Sequence, residues 1–101
     1  MPETIEKLIK IIKSRKRNDI KLSYTSFLLS KGNEHCLDKL KEEMAELEDA
    51  IKNKKNTVHE TADVIYHLLV TLESAGINFD DIMKELKKRE DTSGFEEKRN
   101  R

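Results

Sequence analysis

Residues 37–51 read LDKLKEEMAELEDAI, and the spacing of their apolar members decides the fold class. Leu37, Leu40, Met44, Leu47 and Ile51 recur at intervals of 3, 4, 3 and 4 residues. Such spacing puts all five on one face of an α-helix. The stripe predicts a helix over residues 34–54, with Asn33 as its N-cap and residues 53–56 as the turn that follows. It is heptad-like but too short to specify a coiled coil.

Reading outward, Val58, Ala62, Ile65, Leu69 and Leu72 form a second stripe, widened by Val64 and Leu68. They predict a helix over 58–75, buried on most sides and ended by Gly76. Upstream, Ile5, Leu8, Ile9 and Ile12 mark an amphipathic helix over 3–17 that opens near Pro2. Residues 18–33 break the pattern and read as a loop around a short apolar patch, Phe27 to Leu29. Downstream, Asn78 to Asp81 cap a helix carrying Phe79, Ile82, Met83 and Leu86. After Arg89 the pattern stops; residues 91–94 read as a loop and 95–101 as a charged tail. No alternating strand pattern occurs. The expected fold is all-α, a single domain over 1–101. The two central helices form a hairpin that packs into a dimeric, four-helix-bundle-like core.

Composition bounds the function. The 101 residues hold 20 Lys and Arg against 20 Asp and Glu, and 40% are charged while 36% are hydrophobic. The basic excess of a general nucleic-acid binder is absent. No apolar run approaches the roughly 20 residues of a membrane span, and no signal-peptide pattern opens the chain. A single cysteine, Cys36, cannot form an internal disulfide, which fits a reducing cytoplasm. Charge density of this order favours disorder, but the few Gly and Pro and the helical periodicity oppose it. A small core among so many charges implies that a second subunit completes the apolar burial. The zero net charge is a sum of unlike parts. Residues 34–63 hold nine acidic and five basic residues, residues 1–23 three and seven, and residues 84–101 five and seven.

The acidic centre is patterned. Glu43 and Glu46 lie three residues apart on one predicted helix, and Glu60 and Asp63 three apart on the next. Such pairs share a helix face at roughly 5–6 Å between Cβ atoms. Two antiparallel helices can therefore present the pairs to each other, at the edge of the apolar seam. Converging carboxylates repel one another and lose hydration, and a cation removes both costs. All-oxygen ligands select a hard ion, Mg²⁺ or Mn²⁺, which suits attack of water on a phosphoanhydride. Two local alternatives exist. Thr57 and Glu60 fit a capping box, and Glu43 can pair with Lys39 one turn earlier.

Glu42-Glu43-x-x-Glu46, a gap of 13 residues, then Glu60-x-x-Asp63 resembles the motif of the all-α MazG-like nucleotide pyrophosphohydrolases. Ser23-Tyr24-Thr25, Lys31-Gly32, Lys39-x-x-Glu42-Glu43, Ala62-Asp63-x-x-Tyr66-His67-Leu68-Leu69 and Ser93-Gly94-x-Glu96-Glu97-Lys98-x-x-Arg101 are similar, in order, to the phosphoribosyl-ATP pyrophosphatase family. The resemblance runs from about residue 23 to the C-terminus. It implies Mg²⁺-dependent hydrolysis of the α–β phosphoanhydride of phosphoribosyl-ATP, the second step of histidine biosynthesis, by a homodimer. It implies Glu43, Glu46, Glu60 and Asp63 as metal ligands, with Glu42 beside them or orienting the attacking water. Lys41 departs from the small residue that many relatives carry before the glutamate pair. The cyclohydrolase often fused ahead of such domains does not fit in residues 1–22, so a stand-alone form is expected.

A polyanionic substrate needs cations beside the metal. Lys31, next to Gly32, and Lys39, Arg89, Lys98 and Arg101 are the candidates; for Lys98 and Arg101 the alternative is a solvated tail. Ser23 and Tyr24 are candidates for ribose or base, against a local turn bond for Ser23 and an apolar anchor for Tyr24. His67, on the face of Asp63, is a phosphate or metal-shell candidate, against a hydrogen-bonded histidine beside the core. Tyr66 reads as packing with its hydroxyl at an edge. His35 and His59 read as surface residues, and Cys36 as inert. The competing functions are a housecleaning pyrophosphohydrolase acting on dUTP, dCTP or aberrant nucleotides, and a helical dimerisation module without catalysis.

Overall fold

The 3-4 stripe of residues 37–51 lies on a 21-residue helix, α3 (Asn33–Asn53), flanked in chain order by α1 (Pro2–Arg15), α2 (Tyr24–Lys31), α4 (Thr57–Ser74) and α5 (Phe79–Glu90). The computed structural model describes residues 2–16, 23–90 and 99. These described residues contain helices and turns and no strand. None of the helices is long and apolar enough to cross a membrane. The expected tail over 91–101 lies outside the described residues, except for position 99.

The α3–α4 hairpin is the frame, and α1 and α2 pack on one side of it. The core is small: Ile12 from α1, Leu28 from α2, Cys36 from α3, and Leu69 and Val70 from α4. Leu8, Ile9, Phe27, Leu29, Tyr66 and Phe79 pack around these five. Polar bonds tie the layers together. Thr71 Oγ1 donates to the Cys36 carbonyl at 3.3 Å, and the Cys36 thiol donates to the Leu28 carbonyl at 3.3 Å. Cys36 is buried, and burial pushes its thiol up, which favours the protonated form.

Three expectations need correction. Residues 24–31 form a helix, not a loop. Ser23 is its N-cap, accepting from Ser26 N–H at 3.2 Å, and its hydroxyls are consumed by specific bonds. Ser26 Oγ donates to the Arg15 carbonyl at 2.7 Å, and Thr25 Oγ1 bonds the Tyr66 hydroxyl. Tertiary partners outweigh the weak helix preference of Ser and Thr. Next, Asn33 is the first residue of α3 and does not cap it. The break is the single residue Gly32, at φ +86°, and Asn33 Oδ1 accepts from Ser74 Oγ at 2.6 Å. Finally, α4 is not buried on most sides. His67, Leu69, Val70 and Thr71 are buried, but Val58 is 86% exposed and Ile65 and Leu68 are also exposed. On α3, likewise, Leu37, Met44 and Ile51 of the stripe are exposed. The most regular apolar stripe therefore faces away from this chain's own core.

Both ends of the hairpin turn on left-handed residues. Gly76 at φ +73° ends α4, with Gly76 N–H on the Glu73 carbonyl and Ile77 N–H on the Leu72 carbonyl at 2.9 Å. At the end of α3 the same pair recurs: Lys54, at φ 54°, donates its N–H to the Ile51 carbonyl at 3.4 Å, and Lys55 N–H donates to the Ala50 carbonyl at 3.1 Å. This is a Schellman closure, which favours glycine. Lys54→Gly is expected to raise stability by about 0.5–1 kcal/mol through relief of strain, less the entropy glycine adds to the unfolded chain. A Cβ at Gly76 meets nothing within 4 Å. Gly76→Ala therefore carries only the backbone penalty, about 1–2 kcal/mol of lost stability. Urea unfolding midpoints check both, and shifts of the same sign would refute this account.

Candidate metal centre

Residues three apart on a helix share a face, and the short Lys54–Asn56 turn sets α3 beside α4. As a result, one carboxylate oxygen each from Glu43, Glu46 and Glu60 lies within 4.8 Å of the others. A second group, His59, Glu60 and Asp63, meets the same distance and shares Glu60. The four expected metal ligands are thus brought together as two overlapping sets.

Neither local alternative forms. Lys39 Nζ donates to Glu42 Oε2 at 3.2 Å, not to Glu43. The Asn56 N-cap of α4 has no side-chain bond, and Thr57 Oγ1 donates back to the Ala50 carbonyl at 3.4 Å. Instead, Glu43 Oε2 and Glu60 Oε2 are buried and have no hydrogen-bond partner among the described residues. Burial raises the Glu43 carboxyl above the usual range, and a shared hydrogen bond and like charge from Glu46 raise it further. The charge of Asp63 acts in the same direction and His67 opposes it. Glu60 is raised by the same causes, with burial first and Glu46 next, and His59 opposes. Orphaned, half-buried carboxylate oxygens facing one another fit a hard divalent cation.

The other candidate residues separate into placed and unplaced. Tyr24 is 52% exposed on the α2 side. Its hydroxyl meets His67 Nε2 at 3.3 Å, and its ring stacks with Phe27 and Tyr66. His67 is buried, with Nδ1 at 2.9 Å from the Asp63 carbonyl. A carbonyl only accepts, so Nδ1 carries a proton, and when the imidazole is neutral the Tyr24 hydroxyl donates to Nε2. Ser23 serves as the α2 cap, its local alternative. Glu42 is exposed and holds Lys39 outside the carboxylate group; its hydrogen bond, and then its charge, raise the Lys39 ammonium. Lys31 Nζ lies 5.4 Å over the Phe27 ring. Arg89 is in the last turn of α5, which supplies no carboxylate to either group. Lys98 and Arg101 lie outside the described residues.

Of the two histidines read as surface residues, His35 departs from that reading and His59 keeps it. His35 Nε2 is buried without a partner among the described residues, and its ring is edge-on to Phe27. His59 is exposed, yet its Nε2 is 3.3 Å from Asp63 Oδ2. The four-residue spacing of His59 and Asp63 was the available signal for that contact. The Tyr24–His67 contact joins positions 43 apart and has no local signal.

The raised carboxyls predict a pH dependence for the metal-free protein. With folded pKa values above the unfolded ones, the native state holds extra protons in the window just above the usual carboxylate range. The stability contribution is full below that range and is lost as pH rises through the raised values. Thermal unfolding without metal should therefore weaken from mildly acid to neutral pH. Mg²⁺ should restore stability at neutral pH and do little at acid pH. Glu46→Gln should flatten the slope. A slope of the opposite sign in the metal-free wild type would contradict the site electrostatics.

Comparison with known proteins bears on what this arrangement serves. The family model described as phosphoribosyl-ATP pyrophosphohydrolase matches residues 5–90. A phosphoribosyl-ATP pyrophosphatase of Dechloromonas aromatica is 41% identical over 101 residues, covering 98% of this chain and 94% of the relative. Proteins of the same description from Clostridium acetobutylicum and Lactiplantibacillus plantarum are 45% and 43% identical. They cover 86% and 87% of this chain, and 81% and 85% of the relatives. The match takes in both carboxylate pairs and the helices that carry them, and the chain belongs to the phosphoribosyl-ATP pyrophosphohydrolase family.

Proposed function

We propose that this chain is a Mg²⁺-dependent phosphoribosyl-ATP pyrophosphatase, cleaving the α–β phosphoanhydride to phosphoribosyl-AMP and pyrophosphate in the second step of histidine biosynthesis. Mn²⁺ is an acceptable substitute. The observation that carries the reading is the convergence of Glu43, Glu46 and Glu60 within 4.8 Å, in a chain about 40% identical to relatives of that description.

The reaction needs a water held in line, neutralised phosphate oxygens and a stabilised leaving group. Glu43, Glu46, Glu60 and Asp63 would hold the ion. When bound, it supplies positive charge to phosphate oxygens and lowers the pKa of a coordinated water. The protein's own part is preorganisation. Helices α3 and α4 fix the carboxylates before any ligand arrives, and the half-buried setting strengthens each charge interaction. Tyr24 directs its proton to His67, so its oxygen faces outward as an acceptor for a substrate hydroxyl or amine. Burial raises the Tyr24 phenol, and the charge of Lys39, held by Glu42, offsets part of that rise. Together they form a polar rim for the sugar and phosphate.

The exposed apolar stripes favour a homodimer. Leu37, Met44 and Ile51 on α3 and Val58, Ile65 and Leu68 on α4 are open to solvent in one chain. Each such side chain gains about 1.5–3 kcal/mol on full burial. Two hairpins joined on this face make a four-helix bundle.

Two experiments test the reading. Pyrophosphate release is expected with phosphoribosyl-ATP and Mg²⁺, with chelator abolishing it; turnover of dUTP or dCTP alone would overturn the substrate. Glu46→Gln and Asp63→Asn should each lower turnover by about a hundredfold or more with the helical fold intact. In sedimentation, the wild type should be a dimer at micromolar concentration. The double variant Leu37→Glu with Ile51→Glu should be a folded monomer, and a dimeric variant would place the interface elsewhere.

A further inference from the structure

Positions 63, 66 and 67 of α4 are three and four residues apart and share one helix face, which meets the first turn of α2. Two adjacent residues of α2 each bond one of two adjacent residues of α4. The Tyr24 hydroxyl meets His67 Nε2 at 3.3 Å, and Thr25 Oγ1 bonds the Tyr66 hydroxyl. The settings of the two bonds differ, since Thr25 is buried and Tyr24 is half-exposed. A hydrogen bond of 3.3 Å is long, and alone it does not hold a half-exposed phenol in one orientation. The Tyr66 ring lies against both partners of that bond, parallel to Tyr24 at 6.5 Å and edge-on to His67 at 5.1 Å. Packing uses the ring of Tyr66 and has no need of its hydroxyl.

We propose that Tyr66 is a positioning residue for substrate binding: its bond to Thr25 fixes the first turn of α2 and so keeps the Tyr24 hydroxyl on His67. The inference rests on the substrate contact given to Tyr24 above. His67 is tied in turn to the Asp63 carbonyl at 2.9 Å, and Asp63 supplies a carboxylate to the metal centre. The bolt between α2 and α4 therefore sets where the Tyr24 oxygen stands relative to that centre. The rest of α2 is anchored independently, because Leu28 is buried and Ser26 holds the Arg15 carbonyl. Loss of the Tyr66 hydroxyl thus leaves the helix docked and frees the direction of its first side chain. Released from His67, the Tyr24 hydroxyl can turn its proton outward. It then offers a donor where a substrate hydroxyl or amine needs an acceptor.

The test is steady-state turnover of phosphoribosyl-ATP with Mg²⁺ by the full chain. Tyr66→Phe should raise KM by about fivefold, in the range of one neutral hydrogen bond, and leave kcat within about twofold. In a Tyr24→Phe background the same change should add nothing, because Tyr66 acts through Tyr24. An equal rise in that background overturns the proposal. Thr25→Val with Tyr66→Phe removes both hydroxyls and keeps the packing, so its melting temperature should return close to wild type. KM should stay raised in that double variant, and a KM that recovers with the melting temperature makes the bond structural and overturns the proposal. Thr25→Ser, which keeps the hydroxyl, should recover the KM lost in Thr25→Val. A readout independent of turnover is the His67 Nε2 resonance in nitrogen NMR, recorded in alkaline buffer. Tyr66→Phe should displace it in the direction that Tyr24→Phe does. A resonance unmoved by Tyr66→Phe overturns the positioning role. A displaced one in a chain that fails to turn over phosphoribosyl-ATP supports that role and overturns only the substrate proposed above.

Discussion

Mutual repulsion among half-buried carboxylates between α3 and α4 is the constraint around which the rest of the structure is arranged. Glu43 and Glu60 are both raised by burial and by the neighbouring Glu46, and two oxygens of the group have no partner among the described residues. Such a cluster opposes folding, so the hairpin that carries it must be held by contacts elsewhere. Those contacts lie on the side where α1 and α2 pack, in the core of Ile12, Leu28, Cys36, Leu69 and Val70. The remaining apolar stripes of the hairpin stay open. One chain thus uses its own core to brace the site and leaves a second apolar face open to solvent.

The α2 helix shows how the bracing reaches the site. It has eight residues and little amphipathic character, and it is fixed at one end by hydroxyls. Ser23 caps it, Ser26 ties it to the end of α1, and Thr25 and Tyr24 bond the aromatic pair Tyr66 and His67 on α4. The carbonyl of Asp63 fixes the tautomer of a neutral His67, and through it the direction of the Tyr24 proton. A single run of four polar residues therefore sets both the helix position and the polarity that Tyr24 offers to a ligand.

Local periodicity located the long elements, and the reason is physical. In α3 and α4 one face is apolar over four or more turns, so the 3.6-residue repeat shows in sequence whether that face meets the same chain or another. What periodicity cannot show is which apolar surface covers it. Leu37 and Ile51 read as core and are exposed, and Val58 more so. The α2 helix was invisible because its stability comes from partners 11 to 43 positions away, not from its own composition. At the site, the i, i+3 spacing brought Glu43 together with Glu46, and Glu60 with Asp63, and the short turn aligned the pairs. His59 was legible only as a spacing. The Lys54–Asn56 turn was legible as a turn, but not as two left-handed residues flanking a lysine.

That turn joins the constraint to the chemistry. A glycine at position 54 would close α3 with less strain, as Gly76 does for α4. Lys54 and Asn56 instead hold left-handed geometry at a cost, with Lys55 between them and a short turn that leaves α3 and α4 no slack. Slack at that point would let the carboxylates relax apart and relieve the repulsion. Strain in the turn and repulsion in the cluster oppose the same fold, and the core is what offsets both. The neutral overall charge hides this tension. It sums an acidic hairpin with basic flanks at the two ends of the chain, and the hairpin's carboxylates are held where they cannot avoid one another.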